Sequence, residues 1–197
     1  MSRNIAVTFD YRCPFARNAH EAVVAAVRAD ALPDVTWRFS AFSLDQVHVG
    51  EGETPVWERP PEAWGSGVLP LLYGIAVRDV FTEQFLDAHI ALFAARHDQG
   101  RKLGSEEVLR DVVTSVGLDA DAVTEEVWSG RPLKTLAEEH RQAVEQWAVF
   151  GVPSFVEHDD AVFIRFMERG RVDDLERAVG LLDWTRLNEF KRTRLPR

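Results

Sequence analysis

Short strand patterns lie only near the two ends of this chain of 197 residues, and helical periodicity fills the residues between them. Near the start, Ile5, Val7 and Phe9 alternate with smaller or polar residues, which predicts a strand over 4–11. A helical stripe of apolar residues follows, and residues 35–41 alternate again. The simplest connection is a β-α-β unit with parallel strands.

The middle of the chain is predicted to be helical. Residues 44–67 are rich in Gly, Pro and charged residues, so we interpret them as a connecting loop. Apolar residues then recur at three- and four-residue spacing over 68–148, which predicts a helical insertion.

The last part of the chain returns to short strand patterns. Residues 154–157 and 161–166 are predicted to form a hairpin, and residues 172–182 a final helix. We therefore expect one α/β core formed by residues 1–43 and 149–197, interrupted by the helical insertion.

The charge balance limits the classes of partner. The chain has 23 Lys and Arg against 32 Asp and Glu, a formal net charge of −9, so we expect neither a nucleic-acid nor a membrane partner. The apolar run 68–77 contains Pro70 and is about half the length of a spanning helix. No stretch near the start resembles a signal peptide, and the sequence predicts a cytoplasmic protein.

Cys13 is the one cysteine in the sequence. A single thiol can form no internal disulfide and no thiolate zinc site, and we expect no metal. Cys13 follows a predicted strand and precedes Pro14, which suits the first turn of a helix. The unpaired N–H groups there favour a thiolate, so the sequence predicts a pKa for Cys13 below the ordinary ~8.5. Arg12 adds positive charge if its side chain turns inward.

Two segments resemble signatures of the DsbA family. Phe9-Asp-Tyr-Arg-Cys-Pro-Phe-Ala is similar to the stretch in which a strand ends in a Cys-Pro-x-Cys motif, and Gly151-Val-Pro-Ser-Phe is similar to the segment that carries a cis-proline. The run 188–194 also resembles the ending of an actinobacterial branch that includes mycothiol-dependent reductases. The resemblance implies an α/β thioredoxin fold with a helical insertion.

The resemblance also implies residue roles. Cys13, Pro14 and Pro153 match the catalytic positions, Cys13 as nucleophile and Pro153 as the cis-proline. The co-substrate contacts would come from Arg12, Phe15 and Val152. The function implied is a thiol oxidoreductase with no tightly bound cofactor, using a low-molecular-weight thiol, mycothiol or glutathione. Its other partner would be a small-molecule or protein disulfide or electrophile, and a homodimer is left open.

The chain departs from the family pattern at Ala16, where a second cysteine would stand. Cys13 must therefore react through mixed disulfides or sulfenic acid. A second branch, which resembles 2-hydroxychromene-2-carboxylate isomerase and the kappa-class glutathione transferases, uses the sulfur of bound glutathione instead. A thioredoxin-fold binding module without catalysis is the third alternative.

Other candidate residues are interpreted more simply. His89 and His140 lie on apolar helical faces and are expected to be core or edge residues, because no metal-binding spacing surrounds them. His20 lies too far along its helix from Cys13 to act as its base. Four tryptophans could line an aromatic pocket over Cys13; core packing is favoured for two of them, and both interpretations stay open for the other two. The first pair is Trp128 and Trp147, the second Trp57 and Trp64.

Overall fold

The computed structural model describes residues 2–189 and 191, and within them it forms four strands and eight α-helices. In chain order they are β1 Arg3–Phe9, α1 Pro14–Ala29, β2 Val35–Ala41, α2 Leu44–Val47, α3 Val68–Val80, α4 Phe85–His97, α5 Glu106–Ser115, α6 Ala120–Trp128, α7 Arg131–Trp147, β3 Ser154–Glu157, β4 Asp160–Phe163 and α8 Val172–Leu182.

The strands form one mixed sheet in the order β2-β1-β3-β4. β1 and β2 run parallel, with Val7 opposite Phe39, while β3 is antiparallel to β1 and forms a hairpin with β4. This confirms the predicted α/β class and the parallel β-α-β unit. Since β1 is a central strand, the chain that leaves it at Phe9 emerges in the middle of the sheet edge.

Two apolar clusters cover the sheet. In one, the buried stripe of α1 and the inner face of α8 pack on Ile5, Val7 and Phe155. In the other, helices α3 to α7 surround buried residues such as Leu71 and Phe93. Each fully buried large apolar side chain contributes roughly 1.5–3 kcal/mol relative to exposure. The helical insertion therefore has a large core of its own, which lies against the sheet.

Some predicted boundaries are wrong by a few residues. β1 ends at Phe9 rather than residue 11, because the buried Asp10 begins a turn in which the Cys13 N–H donates to the Asp10 carbonyl. α1 ends at Ala29, where Asp30 adopts a left-handed φ of 49°. β4 ends at Phe163 rather than residue 166.

The segment 44–67 is more ordered than the predicted loop. It contains α2 and two short 3₁₀ turns, Val56–Glu58 and Pro61–Ala63. The division of the chain into a core and an insertion at residues 43, 68 and 149 stays a prediction. Most of the C-terminal run 188–194 lies outside the described residues.

The apolar run at 68–77 forms most of α3 and is buried among other helices. In the described part of the chain, none of the helices has both the length and the apolar character needed to span a bilayer.

Gly74 on α3 allows a close approach between the helical insertion and the segment before Cys13. A Cβ at Gly74 would lie only 2.3 Å from the hydroxyl oxygen of Tyr11, whose side chain is fully buried. The ring cannot move away without disturbing its neighbours, so any side chain at residue 74 overpacks this contact.

We expect Gly74→Ala to lower the free energy of unfolding by about 1–3 kcal/mol, measured by urea denaturation. The matched control is Gly180→Ala in α8, where a Cβ would meet no atom within 4 Å. That control should raise stability by about 0.5–1 kcal/mol, since alanine is the better helix former. Combining Gly74→Ala with Tyr11→Phe should cost less than the sum of the single changes. Equal stability of Gly74→Ala and the unsubstituted protein would contradict the packing argument.

Candidate functional site

Cys13 is the N-cap residue of α1. Its Sγ accepts a hydrogen bond from the Ala16 N–H at 3.4 Å, and Pro14 fills the first turn, as the sequence predicts. The thiol donates to the carbonyl oxygen of Val152 at 3.3 Å, across 139 residues of chain. The side chain is 9% exposed and reduced. The fold thus brings together Cys13 and the second predicted motif.

The segment that faces Cys13 is tied to the central strand. The Val152–Pro153 peptide bond is cis. Beyond it, the Ser154 N–H donates to the Thr8 hydroxyl at 2.8 Å, and the Ser154 hydroxyl donates to the Gly151 carbonyl at 2.8 Å. Because Thr8 belongs to β1, the same strand positions both the cysteine and the proline.

The predicted lowering of the Cys13 pKa is wrong. Burial raises the pKa of the thiol, and this outweighs the N–H groups of Ala16 and Phe15, which lower it. A nearby carboxylate, Asp10, raises the pKa further, while the Arg165 guanidinium lowers it. A helix N-terminus alone does not produce a thiolate when the sulfur has lost most of its water.

Arg12 does not turn toward the thiol. Its guanidinium forms an ion pair with Asp45 at 2.7 Å and another with the fully buried Asp10 at 3.4 Å. The Asp10 carboxylate also accepts from the N–H groups of Arg12 and Leu44. Burial raises the pKa of Asp10, although these hydrogen bonds and Arg12 oppose the shift. Arg12 therefore holds the turn before Cys13 against the segment that follows β2.

An aromatic surface lies next to the thiol. Phe15 is half-buried beneath the Arg165 guanidinium, which also lies over Phe163. Phe150, 68% exposed, packs against Phe163 with ring centroids 5.0 Å apart. Of these residues the sequence predicted only Phe15. Arg165 and Phe150 reach the site through the hairpin and the segment before Pro153, which no local motif marks.

The family model for the DSBA-like thioredoxin domain matches residues 75–180, more than half of the chain. The chain belongs to this family. The matched residues include the cis Val152–Pro153 bond. They begin after Cys13, so the match does not include the cysteine. A comparison with curated protein sequences finds no significant match.

Several solved structures resemble the chain along most of its length. A thioredoxin-like oxidoreductase from Silicibacter pomeroyi DSS-3 is 22% identical, with a TM-score of 0.63, covering 92% of this chain and 87% of its own. DsbA of Pseudomonas aeruginosa is 18% identical, with a TM-score of 0.63 and coverage of 94% and 84%. A 2-hydroxychromene-2-carboxylate isomerase is 18% identical, with a TM-score of 0.64 and coverage of 93% and 97%. At these identities the similarity establishes the thioredoxin fold with its helices.

Beneath the site, this DSBA-like chain contains a buried polar network that the sequence analysis missed. The Tyr11 hydroxyl lies 2.8 Å from His89 Nδ1, His89 Nε2 lies 2.9 Å from His20 Nδ1, and His20 Nε2 lies 3.1 Å from the Thr8 carbonyl oxygen. In the neutral state that burial favours, His20 donates to this carbonyl from Nε2, so His89 donates from Nε2 to His20 Nδ1 and accepts at Nδ1 from the Tyr11 hydroxyl. Burial lowers the pKa of His20 to about 4 and that of His89 well below its ordinary value. His89 is therefore a core residue, as expected, and His20 is buried beside it.

The tryptophans do not lie over Cys13 as a group. Trp64 and Trp128 stack with ring centroids 6.0 Å apart. Core packing is wrong for Trp128, which is 48% exposed and donates to Glu106. The half-buried Trp147 donates to the His158 carbonyl. Trp57 packs near His140 and under Arg141. Across the described residues, no cluster of side chains could hold a metal ion.

We expect alkylation of Cys13 to keep accelerating above the ordinary thiol pKa of about 8.5. The reagent reacts with the thiolate, and a raised pKa moves half-ionisation to higher pH. The rate of iodoacetamide labelling, followed by mass spectrometry across pH, measures this. Arg165→Gln should move the profile to still higher pH, because Arg165 lowers the pKa. A rate that levels off below about pH 8 would contradict the expectation.

His140 offers a test of pH-dependent stability. Its Nδ1 accepts from the Ser43 N–H at 3.2 Å, its ring stacks on Phe42, and burial lowers its pKa to about 4. The unfolded chain binds this proton near its ordinary pKa of about 6.5 while the folded chain does not, so stability falls as pH falls from there toward 4.

The free energy of unfolding should decrease as pH falls from about 7 to about 4. We expect His140→Asn, which keeps an acceptor for the Ser43 N–H, to make this decrease smaller by up to about 3 kcal/mol. Urea denaturation at each pH measures the difference. The control is His48→Asn, at an exposed residue. Parallel profiles for His140→Asn and the unsubstituted protein would refute the neutral, buried state.

Proposed function

We propose that this protein is a thiol oxidoreductase that uses Cys13 alone and takes its second thiol from solution. The observation that supports this most directly is the position of Sγ. It accepts a hydrogen bond from the Ala16 N–H and lies against Val152, which precedes the cis-proline. The same N–H stabilises a thiolate when one forms. A bound thiol or peptide could then use the Val152 backbone that the resting thiol occupies.

The reaction has two steps. The Cys13 thiolate attacks a substrate disulfide, forms a mixed disulfide with one half, and releases the other half as a thiolate. A small thiol then attacks the mixed disulfide, forms a new disulfide with the bound half, and returns Cys13 to its thiolate. One round exchanges the small thiol for the released half of the substrate. A second small thiol then attacks the new disulfide and frees the bound half as a thiolate, so two electrons pass from two small thiols, which end as their own disulfide, to the substrate disulfide. No second cysteine is required.

The raised pKa of Cys13 shapes this reaction. At neutral pH only a small fraction is thiolate, but a thiolate of high pKa is the stronger nucleophile and the poorer leaving group. The mixed disulfide is therefore expected to persist until a second thiol resolves it. Glutathione or mycothiol is the proposed co-substrate, and a cytoplasmic location would supply it in reduced form.

A second candidate is an isomerase or transferase that borrows the sulfur of a bound thiol. The protonated, largely buried state of Cys13 favours it, because such an enzyme does not need its own thiolate. The likeness to 2-hydroxychromene-2-carboxylate isomerase, which extends over 97% of that chain, supports the same alternative.

The test compares the unsubstituted protein with Cys13→Ser. We expect intact-mass spectra of the unsubstituted protein, after incubation with glutathione disulfide or mycothiol disulfide, to show one added thiol that excess free thiol removes. Reduction of a model disulfide by the small thiol should be lost in Cys13→Ser, which changes one atom and preserves the N-cap.

Each alternative has its own outcome. Thiol-dependent isomerisation of 2-hydroxychromene-2-carboxylate that survives Cys13→Ser would favour the second candidate. A Cys13 that forms no mixed disulfide, in a protein without that isomerisation, would reject both activities and leave the binding module.

A further inference from the structure

A cavity of about 390 Å³ lies beside the turn that precedes Cys13. It is formed between Arg12, Ser66 of the segment before α3, Arg96 near the end of α4, and residues 102–105 before α5. Its volume is within the range of about 300–1,000 Å³ that small-molecule sites occupy. The walls therefore come from the thioredoxin core and from the helical insertion together.

The charges that face this cavity are positive. Arg12 is compensated by Asp10 and Asp45, but Arg96 and Lys102 form no ion pair with any of the described residues. Of the acidic residues near this part of the chain, Asp111 pairs with Arg101, while Glu106 accepts from the uncharged indole of Trp128. The protein as a whole is negatively charged, with a formal net charge of −9. Two cations without ion-pair partners among the described residues at one cavity therefore form a positively charged site on it.

Hydroxyl groups add to the polar lining. Ser66 and Ser105 both line the cavity, and the Ser105 side chain makes no capping bond to α5. An anion in the cavity would meet guanidinium, ammonium and hydroxyl donors, which together suit a carboxylate or a phosphate.

The two walls are held at a fixed separation. Trp64, two residues before Ser66, stacks on Trp128 at an interplanar angle of 7°, and Trp128 donates to Glu106, next to Ser105. A Cβ at Gly104 would lie 3.6 Å from the Cα of Ser66. The segments that carry Ser66 and Ser105 are thus held together across the cavity, whereas Arg96 and Lys102 reach it with exposed side chains.

We propose that this cavity binds the carboxylate or phosphate group of a small molecule through Arg96 and Lys102. Because Arg12 lines the cavity and immediately precedes Cys13, we also assign that molecule as the substrate that reacts at Cys13, and this second part rests on the proposed function. The substrate class is a small organic anion rather than a neutral compound or a polyanion.

The binding part is tested in Cys13→Ser protein, so that no thiol chemistry contributes. Isothermal titration calorimetry at low salt would compare para-nitrobenzoate and inorganic phosphate with the neutral para-nitrobenzamide. We expect at least one anion to bind and the amide not to bind. Arg96→Gln and Lys102→Gln should each weaken binding about tenfold, the effect of losing one charge-assisted hydrogen bond.

The matched control is Arg38→Gln, which removes an exposed cation of β2 that lies outside the cavity and has no ion-pair partner among the described residues. All three glutamine variants then have the same net charge. It should leave the affinity unchanged. Failure of both anions to bind, or equal weakening by all three glutamine variants, would overturn the anion site. Whether carboxylate or phosphate binds more tightly identifies the group that the cavity accepts.

The link to Cys13 is tested with the intact thiol. The rate constant for reaction with the dianionic disulfide of thionitrobenzoate should fall about tenfold in Arg96→Gln and Lys102→Gln, while that with neutral dithiodipyridine should not change. Equal rates in all variants would overturn the assignment to the Cys13 substrate. A Cys13 inert to both disulfides would reject the proposed function, and calorimetry would still decide the anion site.

Discussion

The arrangement of the site depends on one buried carboxylate. Asp10 lies where β1 ends, fully inaccessible to solvent, and accepts from the N–H groups of Arg12 and Leu44. Arg12 extends this contact to Asp45, whose other oxygen accepts from the N–H of Gly67, just before α3. Removing one partner from such a buried ionic cluster leaves a desolvated charge, which is strongly destabilising. Asp10, Arg12 and Asp45 together thus hold the cysteine turn, the segment after β2 and the start of the helical insertion in one geometry.

The Cys13 environment results from competition between two effects of folding. Capping a helix directs N–H groups at the sulfur and favours the thiolate, whereas packing the Val152 segment against it removes water and favours the thiol. Burial prevails here because Arg165, a cation that lowers the pKa of Cys13, is exposed and lies over aromatic rings rather than against the sulfur. The same burial protects Cys13 from indiscriminate oxidation, since reactivity follows thiolate character and exposure.

Local patterns predicted what is local. The strand before Cys13, the helix that starts at Pro14 and the final helix over 172–182 all appear where alternation, proline and helical spacing place them. The sign of the Cys13 pKa shift could not be predicted, because it depends on burial in the folded chain, where the sulfur contacts a carbonyl 139 positions away. Trp128 illustrates the same limit: its apolar character indicated a core position, yet tertiary structure pairs it with Trp64 at the surface. The sequence does not predict the roles of Asp10 and Tyr11, because their partners Leu44 and His89 lie on distant segments.

Ala16 has a consequence for what an oxidised form of this protein would be. Its N–H points at Cys13, and its methyl group is fully buried where a second sulfur would otherwise stand. A two-cysteine relative changes its redox state by closing a small ring inside itself. This chain can hold an oxidised sulfur only as an adduct or an oxygenated species, and an adduct with a charged small thiol would change its outline and its surface charge. A partner that binds the surface of the protein there could then distinguish the two forms without contacting the sulfur.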